Sequence, residues 1–389
     1  MPYIIGLCKK NPNFEFHILS FEKPERFRQN KETINQLIDE YNIHWHPEKY
    51  TKSPPVLATV YDILKMLKQT SKLHKKNRFE IIHCRSYISA LAGLRMKKKY
   101  GIKFIFDMRG FWADERVDGN LWDLKNPVFK AIYNFFKQKE KEFLQYADAV
   151  ISLTEAAKQE MLQWKINNLT KEKITVIPCA ADFEHFNPNK ITEEEKKAIR
   201  KKLNIKEDTI VLTYLGSLGT WYMLDEMLDF YKEFEKKFPD SVFLFITKDN
   251  PQQIIKSAQK RSIETKKIII TSAERNNIPK YISISNLGIF FIKPVYSKKA
   301  SSPVKMGEFL AMNIPVIVNT NVGDNDFILN KIEDVISIDL ANPSKKEIKK
   351  VNDLLTKKSN LRNIANHSLS LETAINTYYN LYKQLSEKN

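Results

Sequence analysis

The residues with the clearest chemical potential lie in the stretch Ser301 to Gly323, SSPVKMGEFLAMNIPVIVNTNVG. Lys305 and Glu308 are three apart and project from one face of a helix, a cation near its start and a carboxylate one turn deeper. Ser302 suits an N-cap and Pro303 the first helical position, which leaves free N–H groups and the positive dipole end facing outward. Such an end holds phosphate, and the Lys/Glu pairing suits a diphosphate joined to a ribose. A capped amphipathic helix packed on a core strand, Ile314 to Val318, with both charges merely solvated, is the competing reading.

A second chemical feature precedes it. The expected strand Ile210 to Leu215 runs into Gly216-Ser217-Leu218-Gly219-Thr220, with a helix expected from about Trp221. Two glycines let a backbone approach a phosphate, and Ser217 or Thr220 can donate to its oxygens. Together these segments resemble the donor-binding half of the retaining family-4 glycosyltransferases of GT-B fold, in which a glutamate equivalent to Glu308 grips the donor ribose. VIPCAADFEHFNP (176–188) is similar to that family's crossing segment, YLGSLGTWY (214–222) to its second glycine loop, and FDMRGFWADE (106–115) to a loop at its catalytic cleft.

The resemblance implies an α/β GT-B chain of two Rossmann-like domains, residues 1–180 on the acceptor side and 181–365 on the nucleotide-sugar side. A C-terminal helix, 366–389, returns to the first domain. The implied substrate is a nucleoside-diphosphate sugar, with Gly216, Ser217, Gly219, Thr220, Lys293, Ser301, Ser302, Lys305 and Glu308 as donor contacts. The acceptor is a hydroxyl of a glycan or lipid-linked saccharide in cell-surface polysaccharide synthesis. Asp107, Arg109, Glu115 and Lys305 are the candidate catalytic residues, and His83, Arg85 and Asp114 the candidate acceptor contacts. No cofactor and no metal is expected. Asp324-Asn325-Asp326 reads as a helix cap.

The sequence also departs from the family pattern. Many members carry an arginine after the first glycine of the loop and a lysine six residues later, where this chain has Ser217 and Met223. A glutamate eight residues before the ribose-binding one is replaced by Ala300, and a cleft histidine has Arg109 as its nearest counterpart, which cannot act as a base because it does not deprotonate. Two rival readings therefore stay open: an inert GT-B descendant that binds a glycan or partner, and a sugar-nucleotide epimerase.

A length of 389 residues exceeds one ordinary core and calls for two domains to position these groups. Helix Pro2 to Lys10, strand Phe14 to Ser20, a polar helix to Tyr41, strand Ile43 to Pro47 and helix Val56 to Lys76 open the chain. Strand Phe79 to Arg85 presents His83, Arg85 and Ser86 at its carboxyl end, where ligands gather in open α/β sheets. Strand Lys103 to Asp107 enters a long loop, Met108 to Trp122. A Rossmann-like domain normally opens on a strand, so the helical opening reads either as a variant topology or as a chain that begins about one strand and one loop late.

Three cysteines, Cys8, Cys84 and Cys179, are scattered without metal or disulfide spacing, which fits a reducing cytoplasm. No apolar run reaches the roughly 20 residues of a membrane span. The net charge of +17 is uneven: residues 1–178 hold 31 Lys/Arg and 20 Asp/Glu, the remainder 32 and 26. Lys65, Lys68, Lys72 and Lys76 recur at helical spacing opposite Val60, Ile63, Leu64 and Leu67, with Arg95 and Lys97 to Lys99 nearby. Such a surface attracts the anionic inner face of a membrane, or is simply solvated. No motif that reads nucleic acid accompanies it, so nucleic-acid binding is not expected.

Overall fold

The structure, a computed structural model, describes residues 1–325, 335–340, 345–356 and 360–387. Twelve strands are described: β1 (Phe16–Glu22), β2 (Ile43–Lys49), β3 (Ile81–Arg85), β4 (Lys103–Asp107), β5 (Ala149–Ser152), β6 (Ile174–Val176), β7 (Ile210–Leu215), β8 (Ser241–Ile246), β9 (Ile268–Thr271), β10 (Leu287–Phe290), β11 (Val316–Asn319) and β12 (Val335–Ile338). They form three parallel sheets: β1-β2, β3-β4-β5-β6, and β12-β11-β10-β7-β8-β9. Short apolar runs such as VFLF in β8 and VIV in β11 are buried on both faces, as parallel strands between helical layers must be.

The six-stranded sheet encloses one large core, from Phe243 and Phe245 to Phe309 and Val318. The first half is divided. Its β1-β2 ribbon forms no ladder with β3, and its apolar residues fall into separate clusters. The helix Leu371–Glu387 returns across it, with the Tyr378 hydroxyl 3.3 Å from an Asp107 oxygen and the Tyr382 hydroxyl 2.7 Å from His83 Nδ1. Two crossings of the chain are tied together where Ala181 N–H donates to Leu369 at 2.9 Å and Leu371 N–H to Ala181 at 2.8 Å.

Three local expectations are corrected. The stretch Met108 to Trp122 is not all loop but carries a helix, Trp112–Asp118. Its aromatics seat it: Trp112 packs 4.9 Å from Phe136 and 5.3 Å from Trp122, and Asp114 and Glu115 stand in its first turn, where the helix dipole favours carboxylates. The helix after the glycine loop starts at Leu224 rather than Trp221, because Tyr222 bridges Ile292 and Met223 N–H donates to Phe291. On the helix Pro55–Asn77 the inward face is Ala58, Met66 and Thr70, whereas Val60 and Leu64 are 48% and 61% exposed. Those two apolar residues share the solvent side with the lysines.

Candidate active site

The helix Val304–Ala311 carries the pair singled out above, and both side chains are buried, Lys305 at 8% and Glu308 at 5% exposure. Its start differs from expectation. Pro303 takes the cap position without a side-chain bond, and the Ser302 hydroxyl accepts instead from the Cys179 N–H at 3.1 Å. The crossing segment occupies Ser302 because it runs directly beneath the helix start.

Lys305 ends in an apolar and aromatic cage. Its Nζ lies 3.5 Å from the Tyr222 ring centre and 4.1 Å from that of Tyr214, and it has no hydrogen-bond partner among the described residues. Ring faces attract a cation but do not replace its water. Burial therefore pulls the ammonium down to about 7, and the charges of Glu308 and Asp249 only partly offset this. The same burial pushes the Tyr222 hydroxyl up to about 12, so that ring stays neutral. An unpartnered buried cation is costly in the free protein and well suited to an incoming anion.

The glycine loop closes over this cation. Gly216 has φ +103°, and a Cβ there would stand 3.5 Å from Lys305 Nζ, so backbone and ammonium share one small space. Gly219, at φ +50°, has open space beside it, and Thr220 is exposed. Ser217 is placed differently from the phosphate-donor role expected of it. Its hydroxyl donates to both Asp249 oxygens, at 2.8 and 3.1 Å, and the Leu218 N–H donates to Asp249 at 2.5 Å. Asp249 thus fixes the loop and uses two donors that a phosphate would otherwise take.

Glu308 pairs with Arg275, whose guanidinium also lies 4.8 Å from the Phe186 ring. Arg275 is itself more than half exposed. The buried carboxylate is therefore covered by a guanidinium that itself faces solvent. Lys293 is exposed at the rim, and the Ser301 N–H is used locally by Lys298.

Across the cleft, Arg109 adopts φ +58° and donates to Cys179 Sγ at 3.1 Å. It thereby reaches the segment that holds Ser302. A Cβ on Gly110 would lie 3.6 Å from the Ala300 carbonyl, and Ala300 is packed into the first half's apolar cluster with Met108 and Phe111. The methyl side chain that replaces the family's first glutamate is thus part of the seam between the halves. Glu115 pairs with Lys298, whose Nζ sits 3.7 Å over the Trp221 ring, and Asp118 accepts from the Ser297 N–H at 2.9 Å. Asp324 does cap a helix, but one in the other half, accepting from Glu155 and Ala156 N–H at 2.7 and 2.9 Å. Asp326 lies outside the described residues.

The remaining candidates are engaged elsewhere. Asp107 is 1% exposed, 3.4 Å from His83 Nε2, 3.6 Å from Arg85 Nε and bonded to Tyr378. This group anchors the returning helix at the cleft floor. Asp114 accepts from Tyr133 and Lys137, both at 2.8 Å, and faces the interior of the first half. Sequence reasoning missed Arg275, Asp249 and Lys298. The first two sit in loops after β9 and β8, and only the fold brings them to residues 33 and 32 positions away.

The model of Glycosyltransferase Family 4 matches residues 10–185, and that of Glycosyl transferases group 1 matches residues 195–368. The chain belongs to the family-4, group 1 glycosyltransferases. It is 23% identical over 176 residues to alpha-monoglucosyldiacylglycerol synthase of Acholeplasma laidlawii, covering 42% of each chain. It is 24% identical over 276 residues to UDP-Gal:alpha-D-GlcNAc-diphosphoundecaprenol alpha-1,3-galactosyltransferase of Escherichia coli, covering 69% of this chain and 65% of that one. Both matches span less than two thirds of the relative's length. The solved sucrose-phosphate synthase of Thermosynechococcus elongatus shares the fold, with a TM-score of 0.69 at 14% identity over 96% of this chain and all of that one. The GT-B architecture is therefore that of this family.

Proposed function

We propose that this chain transfers a sugar, with retention of configuration, from a nucleoside-diphosphate donor to a hydroxyl of a glycan or lipid-linked acceptor. The observation that carries the reading is the Lys305 ammonium, buried without a hydrogen-bond partner among the described residues, beside Gly216 and one helical turn from buried Glu308. Glu308 accepts hydrogen bonds from the ribose hydroxyls, with Arg275 swinging aside. As the bond between the anomeric carbon and the diphosphate breaks, negative charge grows on the leaving group, and Lys305 and the loop's remaining N–H groups stabilise it. Lys305 stands in for the loop cations replaced by Ser217 and Met223. Arg109, Glu115 and the Asp107 group line the acceptor side, and no protein nucleophile or metal is needed for the transfer.

The same half carries the surface for an anionic membrane. Leu57, Val60, Tyr61 and Leu64 are 48% to 69% exposed along one helix, and beside them Lys68, Lys72, Lys75, Lys76, Arg95 and Lys99 line a shallow groove. Apolar insertion flanked by cations is how a peripheral helix holds a bilayer. No helix among the described residues is long and apolar enough to cross one.

Thermal unfolding of the purified chain with a panel of nucleoside diphosphates, in buffer containing EDTA, tests the donor site. Ligand at about 100 times its Kd adds roughly 2.7 kcal/mol to the native state. A shift with at least one base that shrinks to half or less in Glu308→Ala at the same ligand concentration is the expected result, and product analysis with donor alone separates transfer from epimerisation. No shift with any base would favour the inert GT-B reading.

A further inference from the structure

Outside the cleft, β1 and β2 bring four residues of metal-binding type to one place. Glu15 directly precedes β1, two residues before His17, and strand alternation puts His44 and His46 on the same face of the neighbouring strand. The parallel register sets His17 directly opposite His44. One Glu15 oxygen lies 2.9 Å from His17 Nε2 and 3.2 Å from His44 Nε2, and the three ligand atoms all fall within 4.8 Å of one another. Around a tetrahedral zinc ion with bonds of about 2.0–2.1 Å, ligand atoms stand roughly 3.3 Å apart. Small movements of Glu15 and His44, each about half exposed, close the set around an ion.

From this geometry we infer that Glu15, His17 and His44 form a divalent transition-metal site of the two-histidine, one-carboxylate type, with zinc as its expected occupant. His46 completes it from behind. Its Nε2 is 2.9 Å from His17 Nδ1, and the two rings stack at 5.2 Å with an interplanar angle of 6°. A His17 that donates Nδ1–H to His46 directs its Nε2 lone pair toward the ion, the outer-partner arrangement that orients metal-binding imidazoles. Imidazole and carboxylate donors without a thiolate suit zinc and its first-row neighbours.

Position argues for a structural role. The His17 ring packs 5.0 Å from Phe79, which precedes β3, whereas the cleft residues Arg85 and Asp107 end β3 and β4. The cluster therefore lies at the end of the layer away from the cleft. It joins the two strands that form no ladder with the rest of the first half. An ion held by β1 and β2 together fixes their register and the ribbon's position.

Zinc titration of the full chain, stripped with EDTA and desalted, tests the site by calorimetry, with cobalt(II) absorption as a second readout. One equivalent of zinc should bind, and cobalt should give the visible bands of a tetrahedral centre. His44→Ala, at an exposed position, should abolish both signals while far-UV circular dichroism stays unchanged, and His46→Ala should weaken binding by about 10–100-fold. Failure of the stripped chain to take up zinc, or stoichiometric uptake undiminished in His44→Ala and Glu15→Gln, would overturn the assignment. Because donor binding is measured in EDTA, failure here leaves the donor-site reading standing.

Discussion

The two halves of this chain solve different problems. The second half has one continuous six-stranded sheet with one core, and it uses that rigidity to bury an ammonium and a carboxylate within a single helix. The first half has a four-stranded sheet beside a separate ribbon, smaller clusters, an exposed apolar stripe and a net charge of +11 against +6 for the remainder. The contrast shows where precision is spent. Buried charge needs a close-packed scaffold on all sides, while a surface that meets large, variable or lipidic partners needs charge and reach.

The contrast breaks most sharply at Lys305. Replacing it by methionine should lower turnover by about 10²–10³-fold, the usual cost of removing a group that stabilises a developing anion. The same change should raise the stability of the free protein by about 1–4 kcal/mol, since an uncompensated buried charge is exchanged for an apolar side chain. Kinetics and thermal unfolding moving in opposite directions would mark a functional charge. Equal loss of both would mark a structural one.

Glu308→Ala comes next, with a fall of about 10–100-fold in nucleoside-diphosphate affinity, as expected for losing charge-assisted bonds of roughly 1.5–3 kcal/mol. Arg275→Ala, which removes only the partner of Glu308, should change affinity by far less, and calorimetry on the two variants separates gripping from covering. In the first half, Lys68→Gln and Lys72→Gln should each weaken sedimentation with anionic vesicles about fivefold, corresponding to about 1 kcal/mol per cation, and leave donor affinity unchanged. Smallest is Asp249→Asn. Removing its charge while keeping an acceptor for Leu218 should tighten diphosphate binding a few-fold, read in the same calorimeter.

How much of this was legible in the sequence follows from how local each feature is. Lys305 and Glu308 were readable because helix periodicity alone sets them on one face, and the buried strands because their apolar runs are short and bounded. Arg275 and Asp249 were not readable. Their partners are set by loop placement at the ends of β9 and β8, which no spacing encodes. Ser302 was read as an N-cap and Ser217 as a phosphate donor from their types, yet the fold gives them to Cys179 and Asp249. Val60 and Leu64 looked like core positions because periodicity identifies an apolar face without saying what covers it. The cluster of Glu15, His17, His44 and His46 was not readable, because only the β1-β2 register brings residues about 30 positions apart to one place.

The most direct test of the donor site is the proton count on binding. In the free protein Lys305 titrates near 7, so at pH 8 most of it is neutral, and a bound diphosphate restores its charge. Binding should therefore strengthen as pH falls toward 7, by at most about tenfold per pH unit. Calorimetry at pH 8 in two buffers of different ionisation heat measures the uptake. Close to one proton taken up per nucleoside diphosphate bound, and none in Lys305→Met, is the predicted result. Tight binding with no proton uptake, or equal uptake in the variant, would contradict a diphosphate held by Lys305.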